Sequence, residues 1–390
     1  MISLNIITVL SVVIGTILGF ALRTLKLSAA LGMSLLLPLC FVLKPYSVLL
    51  ILISIYCGAS ITHSPKTKKN LADFCISMVF TFSLVLVIPL LINFALIIDK
   101  VQFLALCVFC ITSIICFEAY CISFSDRGDI RKTRFLAFFL SAMSAMTGLM
   151  IPTIGIDVGT GAQRYSMRVS ELYGGIDFII VALGVCCLGE ILYAVSKPKG
   201  QEKGNDVIQN DSGDQLLNIL KISEILPAIT LGVPFSQASA VLAGTFAAYG
   251  IPQAEFMNGF PYNTIPTVIA LSIVMQTIIR TVYEKIMRSN RELLSPVALY
   301  PIFTIVAFVG AYSINYRLFD VFTLIAFGLL GFAMKRLSIP TTPLIICVSF
   351  GSYMEGAYRA PFSWSLITGI FYLLTIIVLV MYIKNSNVQK

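Results

Sequence analysis

The feature that most constrains this chain is a series of apolar stretches, each about 20 residues long, that recurs along its whole length. Clear examples lie at 3–22, 72–98, 101–122, 134–155, 177–196, 262–282, 295–313, 318–334 and 364–383. Charged residues make up only 12% of the 390 residues, against about 25% in an average soluble domain. One core cannot hide so much apolar surface from water. The sequence therefore predicts an all-α polytopic membrane protein with about 11 to 13 transmembrane helices.

Prolines interrupt three further apolar stretches, which predict broken or re-entrant helices at the centre of the fold. These stretches are 28–61, 217–250 and 339–352. The segment 197–216 is markedly polar instead, a composition typical of a cytoplasmic linker. It separates 1–196 from 217–390, and we predict that these pieces of similar size are a first and a second membrane repeat with inverted topology.

Lysine and arginine gather in short loops, and this orients a membrane protein because such loops stay in the cytoplasm. The clusters lie at 66–69, 127–134, 197–203, 280–291, 335–336 and 384–390. An even number of candidate spans separates each cluster from the next, so all can share the cytoplasmic side. The loop 156–176 then falls on the opposite side although it carries Arg164 and Arg168. The net charge of +8 is modest and does not indicate nucleic-acid binding.

Ionisable residues inside predicted spans are costly, so each is a candidate for a functional role. Glu190 lies toward the end of a span, where its side chain could simply reach the interface. Asp320 follows Arg317 by three residues, which fits an ion pair, a helix cap or an ion site. Glu355 and Arg359 are one helical turn apart, and an ion pair is the simplest interpretation. None of these residues defines a site alone.

Enzyme or metal chemistry has little support in the sequence. Most of the ten cysteines lie in apolar runs, where buried thiols are the simplest interpretation. His63 is the only histidine, and the pair Cys107 and Cys110 has no second pair at zinc-like spacing. We therefore predict no metal site, no catalytic residues and no enzymatic activity. A membrane polymerase of lipid-linked sugars is disfavoured because such chemistry needs a sizeable outward loop with clustered ionisable groups.

The stretch TLGVPFSQAS, at 230–239, breaks an apolar run deep in the predicted membrane. Pro234 removes a backbone donor, and Gly232 lets the backbone approach a ligand. A helix that resumes after them would aim its first N–H groups at an anion, joined by the hydroxyls of Thr230, Ser236 and Ser239. The pattern predicts an anion or cation site near the membrane midplane, with a simple kink as the alternative.

Three blocks of the sequence resemble the large membrane subunit of the tripartite tricarboxylate transporter family. The first runs from Gly155 to Leu192 and opens with GIDVGTGAQRY, similar to the family's Gly-x-Asp-x-x-Thr-Gly-x-x-Arg-[Phe/Tyr] loop. The second is the TLGVP stretch, continued to Pro252, and the third runs from Gly310 to Arg359. The blocks follow the order they have in the family and cover most of the chain.

This resemblance implies a secondary transporter that spans the bacterial inner membrane many times. It would import organic anions, di- or tricarboxylates, that a periplasmic solute-binding protein delivers. A small membrane subunit would assist it, and a sodium or proton gradient would drive it. No cofactor is implied, and Na⁺ is a candidate coupling ion.

The two predicted repeats also suggest which residues meet at the site. Gly58, Ser60 and Thr62 are the first-half counterparts that would face the TLGVP stretch across the substrate. In the outward loop, Arg164 is a candidate for docking the binding protein. A structural hairpin held by Asp157 is the alternative for this loop.

The chain also departs from the family. The family's early Gly-x-x-Pro-Gly-x-Gly segment is replaced by LRTLKLS in this chain, at 22–28. The family's Asn-x-Pro-Gly-x-Pro loop is missing after Thr62. Phe235 follows Pro234 where the family has glycine. The sequence therefore predicts a shortened and divergent member. The alternative function is a non-transporting homologue, namely a sensor, a scaffold or a decayed permease.

Overall fold

The computed structural model describes residues 6–24, 27–38, 45–60, 83, 87–125, 130–157, 160–166, 168–196, 224–249, 264–287, 296–359 and 365–388. The predicted linker 197–216 lies outside these residues, and so does Thr62. The two-repeat organisation therefore stays a prediction.

Helices make up nearly all of the described chain. In the first half they are α1 (Ile6–Thr24), α2 (Ala29–Leu36), α3 (Pro45–Ser60), α4 (Val87–Ile97), α5 (Lys100–Ser125), α6 (Ile130–Met150), α7 (Phe178–Ala182) and α8 (Gly189–Ser196). In the second half they are α9 (Ile225–Thr230), α10 (Gln237–Tyr249), α11 (Thr264–Met287), α12 (Pro296–Asn315), α13 (Leu318–Arg336), α14 (Thr342–Tyr358) and α15 (Leu366–Val388). A π-helical turn, Leu183–Leu188, joins α7 to α8, and two short 3₁₀ turns lie at Ile151–Thr153 and Ser170–Leu172.

Five of the described helices are long and apolar enough to cross a membrane. Six shorter apolar helices of 10–17 residues accompany them in the described part of the chain. A single two-stranded hairpin, β1 (Gly155–Ile156) with β2 (Gln163–Arg164), is the β-structure of the described residues. The predicted class, an all-α polytopic membrane protein, is confirmed.

Small residues set the distance between the first two long helices, α1 and α3. A Cβ atom on Gly19 would meet the Ile55 carbonyl oxygen and lie 2.9 Å from the backbone nitrogen of Ala59. A Cβ atom on Gly58 would lie 2.8 Å from the Thr16 carbonyl oxygen. Helices in lipid associate largely through such close backbone packing, because hydrophobic burial drives little association there.

A second close pair is formed by the helix Phe178–Ser196, which comprises α7, the π turn and α8, and by α13. Gly184 packs near Phe327, and Gly189 packs against Gly331. Contacts therefore advance in the same direction along both helices, which run parallel. At their far ends, Glu190 pairs with Lys335, with 3.6 Å between carboxylate oxygen and ammonium nitrogen. We call this the Glu190–Lys335 end of the bundle.

The three proline-interrupted stretches form different structures. In 217–250 the helix breaks between α9 and α10, as predicted. In 28–61, short α2 ends at Leu36, and Pro45 begins α3. In 339–352 the prolines precede or open α14, and Pro343 lies in its first turn, where a missing N–H costs nothing. That stretch is a helix start within the described residues rather than a broken helix.

Candidate functional site

The break between α9 and α10 is a tight reversal of the backbone. Gly232 adopts a φ of +72°, a left-handed conformation that glycine accepts without a steric penalty. The N–H of Val233 donates to the carbonyl oxygen of Pro227 over 3.0 Å, which folds the segment back onto α9. The sequence prediction that Gly232 and Pro234 interrupt the helix is therefore matched by the backbone.

A serine hydroxyl of α10 itself accepts hydrogen bonds from backbone N–H groups at the start of this helix. Ser239 Oγ accepts from the N–H groups of Phe235 (3.1 Å) and Ser236 (2.9 Å), and the two serine hydroxyls lie 3.0 Å apart. Thr230 Oγ1 donates to the Leu226 carbonyl oxygen over 2.7 Å. Thr230 and Ser239 are fully buried, whereas Ser236 is half-buried. In this conformation an anion would have to displace Ser239 from the N–H groups at the start of α10.

The break lies level with the middle of a candidate membrane span. Gln237 Nε2, at the first residue of α10, donates to Cys186 Sγ over 3.0 Å. Cys186 is in the π turn, near the middle of the 19-residue span Phe178–Ser196. Because a helix rises about 1.5 Å per residue, Cys186 is roughly 12 Å from one end of that span and 15 Å from the other. A π turn within a span is itself a feature often found at functional sites.

A tyrosine from the first half of the chain contacts this break. The hydroxyl of Tyr56, on α3, donates to Glu224 Oε2 over 3.1 Å and also interacts with Ser236. Glu224 immediately precedes α9, so one hydroxyl holds the starts of α9 and α10 together. Sequence analysis missed both Tyr56 and Glu224. An acidic residue at the start of a broken membrane helix was the available signal.

The predicted first-half counterparts lie on the same helix as Tyr56. Gly58 packs on Thr16 and Gly19 of α1, in the helix contact described above. Ser60 is the last residue of α3, and its side chain is outside the described ones, as is the whole of Thr62. Their predicted contact with substrate stays a prediction.

The loop that the charge pattern predicts to face outward forms a hairpin that Asp157 holds. The Asp157 N–H donates to Ala162, the Asp157 carbonyl accepts from Gly161, and its carboxylate accepts from Thr160 Oγ1 over 2.8 Å. This is the geometry of the hairpin alternative. A docking role for Asp157 and Arg164 stays a prediction.

Four charged side chains connect this hairpin to the end of α14. Arg164 lies 2.6 Å from Glu355 and 3.6 Å from Asp157, and Arg359 pairs with both carboxylates. The predicted pair of Glu355 and Arg359 is thus present, within a larger network. The hydrogen bond to Asp157 raises the pKa of the Arg359 guanidinium, so this group remains a cation. The signal available in the sequence was an excess of arginine on the side where the charge rule expects little.

A cavity of about 370 Å³ opens beside these charges. Its lining includes Arg164, Glu355, Arg359, Tyr173, Phe178 and the backbone of several glycines. Ligand pockets for small molecules begin at about this volume. The cavity lies beside the hairpin rather than at the helix break.

The Glu190–Lys335 end carries another polar cluster. The Glu190 carboxylate accepts from both the backbone N–H (3.2 Å) and the hydroxyl of Ser28, which caps α2. Glu190 is therefore an ion-paired and hydrogen-bonded group rather than a lone side chain that reaches the interface. No group of three or more metal-ligating side chains occurs among the described residues.

These features define a polytopic α-helical membrane protein with a helix broken level with the middle of a candidate span and an ion-paired cavity at one end. The chain belongs to the Tripartite tricarboxylate transporter TctA family, whose sequence profile matches residues 70–224 and 218–346. The matched regions contain the hairpin, the π turn and the break. The resemblance drawn from the sequence motifs is confirmed.

Two curated relatives come from Agrobacterium vitis. An "uncharacterized 52.8 kDa protein in TAR-I ttuC' 3'region" is 23% identical, and the match covers 55% of this chain and 55% of that protein. An "uncharacterized protein in TAR-II ttuC' 3'region" is 27% identical over 40% of this chain and 66% of that protein. This chain therefore spans less than two thirds of the length of either relative. No solved structure matches the chain significantly.

Proposed function

We propose that this chain is the large membrane subunit of a secondary active transporter that imports small organic anions, di- or tricarboxylates. A periplasmic solute-binding protein delivers the anion, and a small membrane subunit assists. A sodium or proton gradient drives uptake across the bacterial inner membrane. Family membership supports the class of transporter, and the mid-membrane break supports the location of its site.

The observation that carries this proposal is the position of the break. Transporters commonly bind substrate near the bilayer midplane at the ends of discontinuous helices, whose N-termini favour anionic groups. The start of α10 lies at that depth beside Cys186. Tyr56 brings α3, from the first half of the chain, to the same point. Substrate would be bound by the first N–H groups of α10 after Gly232 and Pro234, joined by hydroxyls of Thr230, Ser236 and Ser239.

The non-transporting alternative rests on one observation of the same site. The N–H groups of Phe235 and Ser236 already donate to Ser239. If that arrangement were permanent, no anion could bind at the break. Transport requires a second conformation in which Ser239 releases these groups.

Uptake assays with Gly232→Val test the proposal. A β-branched side chain at a φ of +72° is strained by about 1–3 kcal/mol, so the backbone of the break must change. We expect cells that make this variant with the two partner subunits to lose accumulation of labelled di- and tricarboxylates, while the amount of protein in the membrane is maintained.

Gly369→Val is the matched control, because among the described residues no atom beyond its own helix backbone lies within 4 Å of a Cβ atom placed on Gly369. It should retain uptake. Wild-type uptake by Gly232→Val would remove the break as the site. No uptake by the wild-type chain, folded and inserted with its partners, would favour the non-transporting homologue.

A further inference from the structure

The cavity beside the hairpin has a charge arrangement that the break does not explain. Two guanidinium groups in its lining, Arg164 and Arg359, both bind the same carboxylate atom, Glu355 Oε1. Planar guanidinium groups match carboxylates in geometry and charge. Glu355 therefore occupies the position that a carboxylate ligand of this cavity would take.

The two acidic partners of these arginines are held to different degrees. Asp157 is only 7% exposed, and the hairpin hydrogen bonds and Thr160 fix its position. The Glu355 side chain is 26% exposed, extends from the last turns of α14 and pairs with both arginines. Partly solvated ion pairs contribute little net stability. Glu355 is thus the acid that a ligand could replace, while Asp157 keeps the arginines in place.

One donor in the network lacks a partner. Among the described residues, Arg164 Nε is buried and makes no hydrogen bond. Burying an unsatisfied donor is costly, and a small movement of Arg164 toward a bound carboxylate would relieve this cost. The backbone of Gly155, Gly174 and Gly175 also lines the cavity and leaves room for a compact polar molecule.

The cavity is connected to the break by a short helix segment. Phe178 lines the cavity and packs against Gly244 in α10. From Gly244 back to Gln237, where the break lies, α10 spans about 10 Å at 1.5 Å per residue. A small anion bound in the cavity is thus about two helical turns from the break, at the end of the bundle away from Glu190 and Lys335.

We infer that the cavity is an entry site for a free small carboxylate, which binds Arg164 and Arg359 by displacing Glu355. This site is separate from the break and goes beyond the proposed function, because it binds the free anion whether or not transport follows. An acidic side chain of a partner protein carries the same chemistry, so the experiment uses free anions without any partner.

Calorimetric titration of the purified 390-residue chain with citrate and with succinate tests this inference. The background variant is Gly232→Val, which perturbs the break and leaves the cavity. Glu355→Gln removes the competing carboxylate, so we expect citrate to bind about tenfold more tightly. Arg359→Gln removes a ligand of the anion, so we expect about tenfold weaker binding.

The expected changes in citrate affinity have opposite signs for Glu355→Gln and Arg359→Gln. If these residues had only a structural role, both variants would bind citrate less tightly. Glu171→Gln is the control, because it removes an exposed negative charge from the same loop without altering the cavity lining. If Arg359→Gln fails to fold, a gain in citrate affinity by Glu355→Gln still supports the inference. Unchanged or weaker binding of the free anions by Glu355→Gln overturns the inference.

Because the background already lacks the proposed break site, the two proposals can fail separately. Binding that survives Gly232→Val but responds to Glu355→Gln supports the entry site even if uptake is absent. Complete loss of citrate binding in Gly232→Val alone overturns the entry site and leaves the break as the site.

Discussion

Asp320 illustrates how a buried charge finds a partner that its neighbours in sequence do not reveal. The spacing to Arg317 fits an ion pair, but no such pair occurs among the described residues. Asp320 is 7% exposed and accepts a hydrogen bond from Asn315 Nδ2 over 2.9 Å. The same amide nitrogen donates to Asp177 over 2.8 Å. Asp320 also lies in the first turn of α13, where the helix dipole favours an anion, but no side chain caps this helix with a hydrogen bond.

We expect Asn315→Ala to destabilise the protein by about 1–3 kcal/mol, because it leaves the buried Asp320 carboxylate short of a donor. The measurement is the free energy of unfolding in detergent, followed by circular dichroism. Adding Asp320→Asn should recover part of the loss, since it removes the buried charge. Asn93→Ala, at an exposed position on α4, is the control. Equal losses at positions 315 and 93 would contradict the role of Asn315.

At the scale of helices, local sequence predicted the break but not the helix pairs. Gly232 and Pro234 act on their own backbone, so their effect can be inferred from a few residues. The π turn has no such local cause, because its residues are ordinary apolar ones. Its contact with Gln237 depends on α10, about 50 residues later in the chain.

The packing of α1 on α3 gives a prediction for Gly19→Ala. The added Cβ atom would meet backbone atoms of Ile55, Ala59 and Gly58, which cannot rotate away. We expect a loss of about 1–3 kcal/mol in unfolding free energy, as in an overpacked core, and a lower thermal midpoint.

Gly369→Ala should have the opposite sign. It adds the same methyl group at a position where no other described part of the chain lies within 4 Å, and alanine favours a helix over glycine by up to about 1 kcal/mol. Thermal unfolding of the two variants in one detergent provides the comparison. Equal midpoints would show that α1 and α3 are not packed through Gly19.

At the scale of the whole molecule, α14 connects the basic turn after α13 to the β1–β2 hairpin. It begins just after the turn at Ser338, next to the basic cluster Lys335 and Arg336, and ends beside the hairpin at Arg359. Its 17 residues span about 25 Å, close to the hydrocarbon thickness of a membrane. The charge-based orientation and the contacts at both ends are therefore consistent, with the hairpin outward.

Labelling from one side of the membrane tests this orientation. An impermeant maleimide should react with Tyr165→Cys in intact cells whose outer membrane has been permeabilised, and it should react with Ser338→Cys only after lysis. Both positions are exposed and have positive φ angles (51° and 58°), so the two substitutions carry similar backbone strain. Labelling of the unsubstituted chain gives the background. The reverse pattern would invert the topology.

The sequence by itself determined the class of protein, the break at Gly232 and Pro234, and the loop that forms the hairpin. These features follow from the length of apolar stretches and from the backbone preferences of single residues, both of which are local. Only the tertiary structure decided the partners of the charged and polar groups. Arg359 pairs with Asp157 across 202 positions of the chain, and Tyr56 contacts Glu224 across 168. Such pairs depend on which helices pack together and at what height, and this is set by shape complementarity between whole helices rather than by any short pattern.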